Sequence, residues 1–184
     1  MSIKTKAIFL DRDGVINNCV DRGEDCVVAG KKVRWTAPWI YNEFHLKSGV
    51  KEILYRMKDL DFLLILATNQ PDVKYGTMKK EDHERIMSDI HKLPFDDIFV
   101  CMHGRDEGCD CKKPKLGMFL QAIKKYNIDC KESYAIGDRS NDLKPAKELG
   151  CKTILIKSEQ GKGVNADYKV LNLQEAVEII KNII

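Results

Sequence analysis

Short apolar runs bounded by polar or turn residues recur at positions 7–10, 62–67, 98–101, 134–136 and 153–156. Continuous runs of this kind mark strands buried on both faces, as in a sheet covered on each side by helices. Between them the apolar residues return at helical spacing. Ser48 stands as an N-cap before a helix that carries Val50, Ile53, Leu54 and Met57 on one face. Further helices are predicted over 79–92, over 115–126, over 141–149 with Gly150 as the stop, and from Leu173 to the C-terminus behind an Asn172 cap. Strands alternating with helices predict a mainly parallel sheet with helices on both faces. Residues 15–47 break the pattern: they hold Trp35, Trp39, Tyr41, Phe44 and His45 but show no clean period. This insert reads as a flap over the sheet edge, its aromatics either packing it onto the body or stacking on a substrate.

A chain of 184 residues fits one domain, spanning 1–184, that buries about 70% of its unfolded surface without disulfide staples. Lys and Arg total 31 against 28 acidic residues, a net charge of +3, too weak to imply a nucleic-acid or membrane partner. No apolar run approaches the roughly 20 residues of a membrane span. Met-Ser-Ile-Lys-Thr-Lys at the start leads into a strand rather than a signal peptide. A cytoplasmic monomer is the expectation.

Seven cysteines is an odd number, and Cys101, Cys109 and Cys111 crowd together with His103, which disfavours a disulfide framework and favours a metal. These four side chains fill a tetrahedral zinc shell with no position left for water, so the zinc of loop 101–111 is expected to be structural. Cys19, Cys26, Cys130 and Cys151 are scattered and read as core or loop residues.

The first apolar run ends in Asp11 and Asp13. Open parallel sheets place their sites beyond the carboxyl ends of the strands. Ionised carboxylates there need a compensating partner, so the pair implies a bound cation, a shared proton or both, unless it only forms an Asp-Gly turn. Thr68-Asn69-Gln70-Pro71 follows the second run, Lys112-Lys113-Pro114-Lys115 follows the cysteine cluster, and Gly137-Asp138-Arg139-Ser140-Asn141-Asp142 follows the fourth run. Four strand ends thus supply a carboxylate pair, a hydroxyl, a lysine and a second carboxylate cluster, the kit expected for phosphoryl transfer.

Asp11-Arg-Asp13-Gly14, Thr68-Asn69-Gln70, Lys113-Pro114 and Gly137-Asp138 resemble, in order, the four motifs of the haloacid dehalogenase superfamily. The resemblance implies a Rossmann-like three-layer α/β sandwich without a large cap domain, and a magnesium-dependent phosphatase. It implies Asp11 as the nucleophile that forms an aspartyl phosphate, and Asp13 as acid and base with a raised pKa. Mg²⁺ would be held by the Asp11 side chain, the Asp13 carbonyl and Asp138. Thr68 and Lys113 would stabilise the phosphoryl oxygens, Asn69, Gln70 and Lys112 would bind substrate, and Asp142 would support the metal shell or cap the following helix.

Cys-x-His followed by Cys-x-Cys-Lys-Lys-Pro-Lys resembles the zinc-containing capless branch of heptose-bisphosphate and histidinol-phosphate phosphatases. Thr-Asn-Gln-Pro-Asp72-Val and Lys-Pro-Lys-Leu-Gly117-Met118 are similar to the heptose members. The five-residue spacer in the zinc loop and Ile136-Gly-Asp-Arg139 are similar to the histidinol members. Histidinol phosphatases often carry a fused dehydratase domain, and one domain is expected here, so the resemblance favours a small sugar phosphate. The branch usually has arginine where this chain has Lys112, a departure that loses bidentate phosphate geometry. Two other readings remain open: a polynucleotide 3′-phosphatase, for which the basic and aromatic strand-binding tract is missing, and a non-catalytic zinc-containing binding module.

Overall fold

A computed structural model describes residues 4–184. Residues 1–3, the start of the segment read as leading into a strand rather than a signal peptide, lie outside the described residues. The chain begins with β1 (Ala7–Leu10), passes four two-residue strands, β2 (Val20–Asp21), β3 (Val27–Val28), β4 (Lys31–Lys32) and β5 (Trp35–Thr36), and enters α1 (Val50–Asp59). There follow β6 (Leu63–Asn69), α2 (Asp72–Tyr75), α3 (Lys80–Ile90), β7 (Asp97–Cys101), α4 (Gly117–Tyr126) and β8 (Tyr134–Gly137). The chain ends with α5 (Ser140–Glu148), β9 (Lys152–Ile156), β10 (Tyr168–Val170) and α6 (Leu173–Ile183).

Six strands form one parallel sheet in the order β10-β9-β8-β1-β6-β7. Alternate residues of β1 feed two cores. Ile8 and Leu10 join the apolar faces of α1, α3 and α6, while Ala7 and Phe9 join those of α4 and α5. This is the three-layer Rossmann-like arrangement. Each buried Leu, Ile or Phe contributes about 1.5–3 kcal/mol, so the two cores hold β1, buried throughout, as the rigid base of whatever stands at its end. Among the described residues no helix is long and apolar enough to cross a membrane.

Three boundaries differ from the sequence reading. Ser48 does not cap α1. Gly49 precedes the helix in the left-handed region (φ 69°) with no side-chain cap, and the Val50 N–H donates to the Lys47 carbonyl at 3.2 Å, so a backbone turn satisfies the donor that Ser48 was expected to take. α4 starts at Gly117 rather than Lys115, because the Lys115 and Gly117 N–H groups donate to the Lys112 and Asp110 carbonyls and fold that segment into the cysteine loop. β10 pairs with β9 but offers only three residues, too few for a period. Asn172 does cap α6, accepting from the Glu175 N–H at 3.0 Å.

The insert consists of two small antiparallel pairs, β2 with β5 and β3 with β4. Ala29 (φ 46°) and Gly30 (φ 73°) make the two-residue left-handed turn that suits a tight hairpin. Both indole N–H groups bind carboxylates of the body: Trp39 donates to Asp72 at 3.0 Å and Trp35 to Glu159 at 2.8 Å. Arg22 stacks 3.9 Å from the Trp39 ring centroid and forms a two-pronged ion pair with Glu43. The Tyr41 hydroxyl donates to Asp89 of α3 at 2.6 Å. These aromatics pin the insert down, and Trp35 also lines the cavity described next.

Candidate active site

The carboxyl ends of β1, β6 and β8 and the loop before α4 bring Asp11, Asp13, Thr68, Lys113, Asp138 and Asp142 together, each of them buried. The Lys113 ammonium donates to Asp11 at 2.8 Å and to Asp142 at 2.6 Å. Burial alone would discharge such an amine, but the two carboxylates outweigh it and hold the lysine protonated. Asp11 rises to about 6 through burial and the neighbouring Asp142, with Lys113 opposing. Asp138 is also raised by burial, against the pull of Arg139, whose Nε donates to it at 3.0 Å. Asp142 accepts the Arg139 N–H at 3.2 Å at the start of α5, so it faces the site and holds the backbone that enters the helix at once.

Oxygens of Asp11, Asp138 and Asp142 lie within 4.8 Å of one another. Hard carboxylate oxygens converging on one point are the donor set for a small divalent cation, and Gly14 leaves the space for it. A Cβ at Gly14 would come 2.3 Å from Asp138 Oδ2, and its φ of +85° excludes other residues as well. The residues present fit magnesium.

Asp13 departs from expectation. Arg12, fully buried, donates to it through Nε and Nη2 at 3.2 and 3.0 Å, Asn17 donates at 3.0 Å and Gln70 at 2.6 Å. Burial pushes this carboxyl up, but the guanidinium and the hydrogen bonds push it below the usual range, the reverse of the raised pKa expected for an acid. No signal in the sequence shows that the Arg12 side chain turns back onto Asp13. The amides also differ. Gln70 is buried and spends its N–H groups on Asp13 and Thr68. Asn69 exchanges a pair of hydrogen bonds, each 3.0 Å, with the Lys113 backbone. Gln70 positions Asp13, and Asn69 positions Lys113, though Asn69 also borders the cavity. The N–H₂ groups of both amides are engaged within the protein, while Gln70 Oε1 has no partner among the described residues.

The four metal-type side chains converge as well. Cys101 Sγ lies 3.1 Å from Cys111 Sγ, 3.8 Å from Cys109 Sγ and 3.6 Å from His103 Nδ1, and His103 Nδ1 lies 3.2 Å from Cys111 Sγ. A tetrahedral ion with metal–sulfur bonds of about 2.3 Å sets its ligands roughly 3.8 Å apart, so the cluster has the size of a closed zinc shell. Cys101 ends β7, and Lys112 and Lys113 follow Cys111 directly. The Lys112 ammonium donates to the His103 carbonyl at 2.8 Å.

A cavity of about 220 Å³ opens over these groups. Asp11, Asp13, Lys113, Arg139 and Asp142 border it from the body. Val28, Val33 and Trp35 border it from the insert, and Asp72, Tyr75, Arg105 and Lys112 are among the rest of its lining.

A HAD-hydrolase-like family model matches residues 110–180. A D-glycero-beta-D-manno-heptose-1,7-bisphosphate 7-phosphatase of Haemophilus ducreyi is 34% identical, over 88% of this chain and 87% of its own. The chain belongs to the phosphatases of the haloacid dehalogenase superfamily. A second HAD relative, the D-glycero-alpha-D-manno-heptose-1,7-bisphosphate 7-phosphatase of Campylobacter jejuni, is 30% identical over 97% of this chain and 98% of its own. Among solved HAD structures, the D,D-heptose 1,7-bisphosphate phosphatase of B. bronchiseptica, complexed with magnesium and phosphate, superposes with a TM-score of 0.80 at 26% identity. That match covers 98% of this chain and all of that one. The enzyme of Burkholderia thailandensis with the same name, at 19% identity and a TM-score of 0.65, shares the fold.

Proposed function

We propose that this phosphatase removes the 7-phosphate of D-glycero-D-manno-heptose 1,7-bisphosphate through an aspartyl phosphate on Asp11. The observation that carries the reading is the buried Lys113 ammonium bridging Asp11 and Asp142, in one cavity with Asp13. A carboxylate nucleophile must be ionised, and with its pKa near 6 Asp11 is ionised at neutral pH. Asp11 attacks phosphorus in line, the leaving oxygen takes the proton that Asp13 gained from water in the preceding turnover, and Asp13, ionised again, deprotonates the water that hydrolyses the aspartyl phosphate. The bonds from Arg12, Asn17 and Gln70 favour ionised Asp13, the form needed for the second step. Lys113 and the Thr68 hydroxyl meet the charge that spreads over the phosphoryl oxygens. Magnesium held by Asp11, Asp138 and the Asp13 carbonyl, with Asp142 in support, would supply further neutralisation of that charge.

Zinc held by Cys101, His103, Cys109 and Cys111 fixes the loop that delivers Lys113. Cys111→Ser is expected to lose the bound zinc, read by elemental analysis, and to lower kcat by about 10- to 100-fold, the cost usual for loosened metal support. Full turnover by a folded, zinc-free protein would refute that positioning role.

Arg105 and Lys112 border the cavity without a carboxylate partner among the described residues, whereas Asp72 is committed to Trp39 and Thr77. These two cations suit a second phosphate and oppose histidinol phosphate, whose leaving group carries an amine. The partner is therefore a small phosphorylated metabolite, met by a cytoplasmic monomer. Phosphate release with Mg²⁺ is compared on heptose 1,7-bisphosphate (both anomers), histidinol phosphate, p-nitrophenyl phosphate and a 3′-phosphorylated oligonucleotide. The bisphosphate is expected to have the highest kcat/KM. Preference for histidinol phosphate would overturn the substrate, and no turnover of any of them would overturn the mechanism.

A further inference from the structure

We infer that Arg105 is a specificity-determining residue: its guanidinium, carried on the metal loop and anchored to the hairpin turn of the insert, binds the phosphate that the substrate keeps. The inference rests on the bisphosphate reading above and adds the residue that enforces it.

Arg105 lies in the five-residue spacer between His103 and Cys109, where no motif assigns it a role. Its Nη1 donates to the Val28 and Ala29 carbonyls, both at 2.9 Å, so both hydrogens of that nitrogen are used. The left-handed Ala29 (φ 46°) sits in the turn that presents these two carbonyls. Among the described residues the side chain makes no ion pair and no other hydrogen bond. Its Nε and Nη2 hydrogens, the edge that grips a phosphate with two parallel bonds, remain available. Tyr75 stands beside it, its ring centroid 5.6 Å from the guanidinium carbon and 6.0 Å from the Lys112 ammonium.

The other cations of the cavity are engaged. Lys113 belongs to Asp11 and Asp142, and Arg139 to Asp138. Asp72 also borders the cavity but forms an ion pair with neither Arg105 nor Lys112 among the described residues, and two neighbouring cations repel each other until an anion joins them. The phosphate undergoing transfer is met at Asp11 by Lys113 and Thr68, so the anion for Arg105 and Lys112 is a second one on the same substrate. Because Nη1 is spent on the insert, a substrate bound at Arg105 has the metal loop on one side and the Val28–Val33 side of the insert on the other.

The test compares kcat/KM for heptose 1,7-bisphosphate with kcat/KM for p-nitrophenyl phosphate in wild type, R105A and R105Q, with zinc content measured for each. Gln keeps a neutral N–H₂ donor, two bonds short of Nη1, and loses the charge and the free edge. In both variants the bisphosphate-to-aryl ratio is expected to fall roughly 10-fold or more, a magnitude set by one two-pronged charged contact, with the loss in KM. Inhibition by glucose 1-phosphate is expected to weaken by a similar factor. A parallel loss on both substrates, a ratio within twofold of wild type, or recovery of the ratio in R105Q would show a tie between loop and insert and overturn the inference. If wild type itself shows no preference for the bisphosphate, the proposed substrate fails and the inference with it. Preference in wild type that survives in both variants overturns the inference alone.

Discussion

Asp11→Asn is expected to lower kcat by at least about 10⁴-fold, the scale on which loss of a covalent nucleophile is felt. The substitution keeps the shape of the side chain and one acceptor oxygen for Lys113, so folding is preserved while the attacking carboxylate is gone. Asn at this position cannot form the acyl phosphate. A burst of alcohol release under single-turnover conditions, with radiolabelled phosphate trapped on the protein, should appear in wild type and vanish in the variant. Turnover within tenfold of wild type would mean that another group attacks phosphorus.

Lys113→Met should carry the largest effect on stability. It removes the ammonium that bridges two buried carboxylates and leaves Asp11 and Asp142 facing one another. Breaking a buried pair by deleting one partner costs about 3–5 kcal/mol, which corresponds to a Tm lower by about 10 °C for a domain of this size. The pH dependence has a definite sign. Asp11 titrates near 6 in the fold, above its ordinary value of 3.8. The penalty for ionising it is therefore absent below that ordinary value and complete above the folded one. The stability gap between Lys113→Met and wild type should narrow as pH falls from 7.5 to 5. Added Mg²⁺ should raise the Tm of the variant more than that of wild type, because the cation replaces the missing positive charge. A gap constant with pH and magnesium would mean that Lys113 acts through packing alone. Activity should fall as well, since the same ammonium faces the phosphoryl oxygens.

Strand ends were legible because buried parallel strands are written as uninterrupted apolar runs, and the chain of β1, β6, β8 and β9 could be read to within a residue or two. Asp11, Thr68 and Asp138 stood out because each follows an uninterrupted apolar run, and Lys113 because it follows the cysteine cluster in the order of the four motifs. What a side chain does after a strand ends is not written in spacing. Gln70 and Asn69 occupy positions that border a site, yet their amides turn inward to Asp13 and to the Lys113 backbone. Arg12 alternates with two aspartates but folds back over one of them. The insert was opaque because its strands are two residues long, below the length at which any alternation exists. Its order comes from contacts distant in sequence, such as Trp35 with Glu159 and Trp39 with Asp72. Arg105 escaped notice because a lone charge in a loop looks like any solvated residue until the hairpin it touches is known.

The position of β1 has a consequence for how the chain is made. It is the first strand to be translated and lies in the interior of the sheet, between β8 and β6. On the ribosome its β6 edge is covered once Leu63–Asn69 has emerged, but its β8 edge stays bare until Tyr134–Gly137 is synthesised, several seconds later at about 5–20 residues per second. Fragments ending before residue 134 keep that apolar edge exposed and are prone to pair with one another. Asp11 and Asp138, which stand at the ends of the two strands involved, come together only when that edge closes, so the nascent chain is inert until residue 138 has been translated.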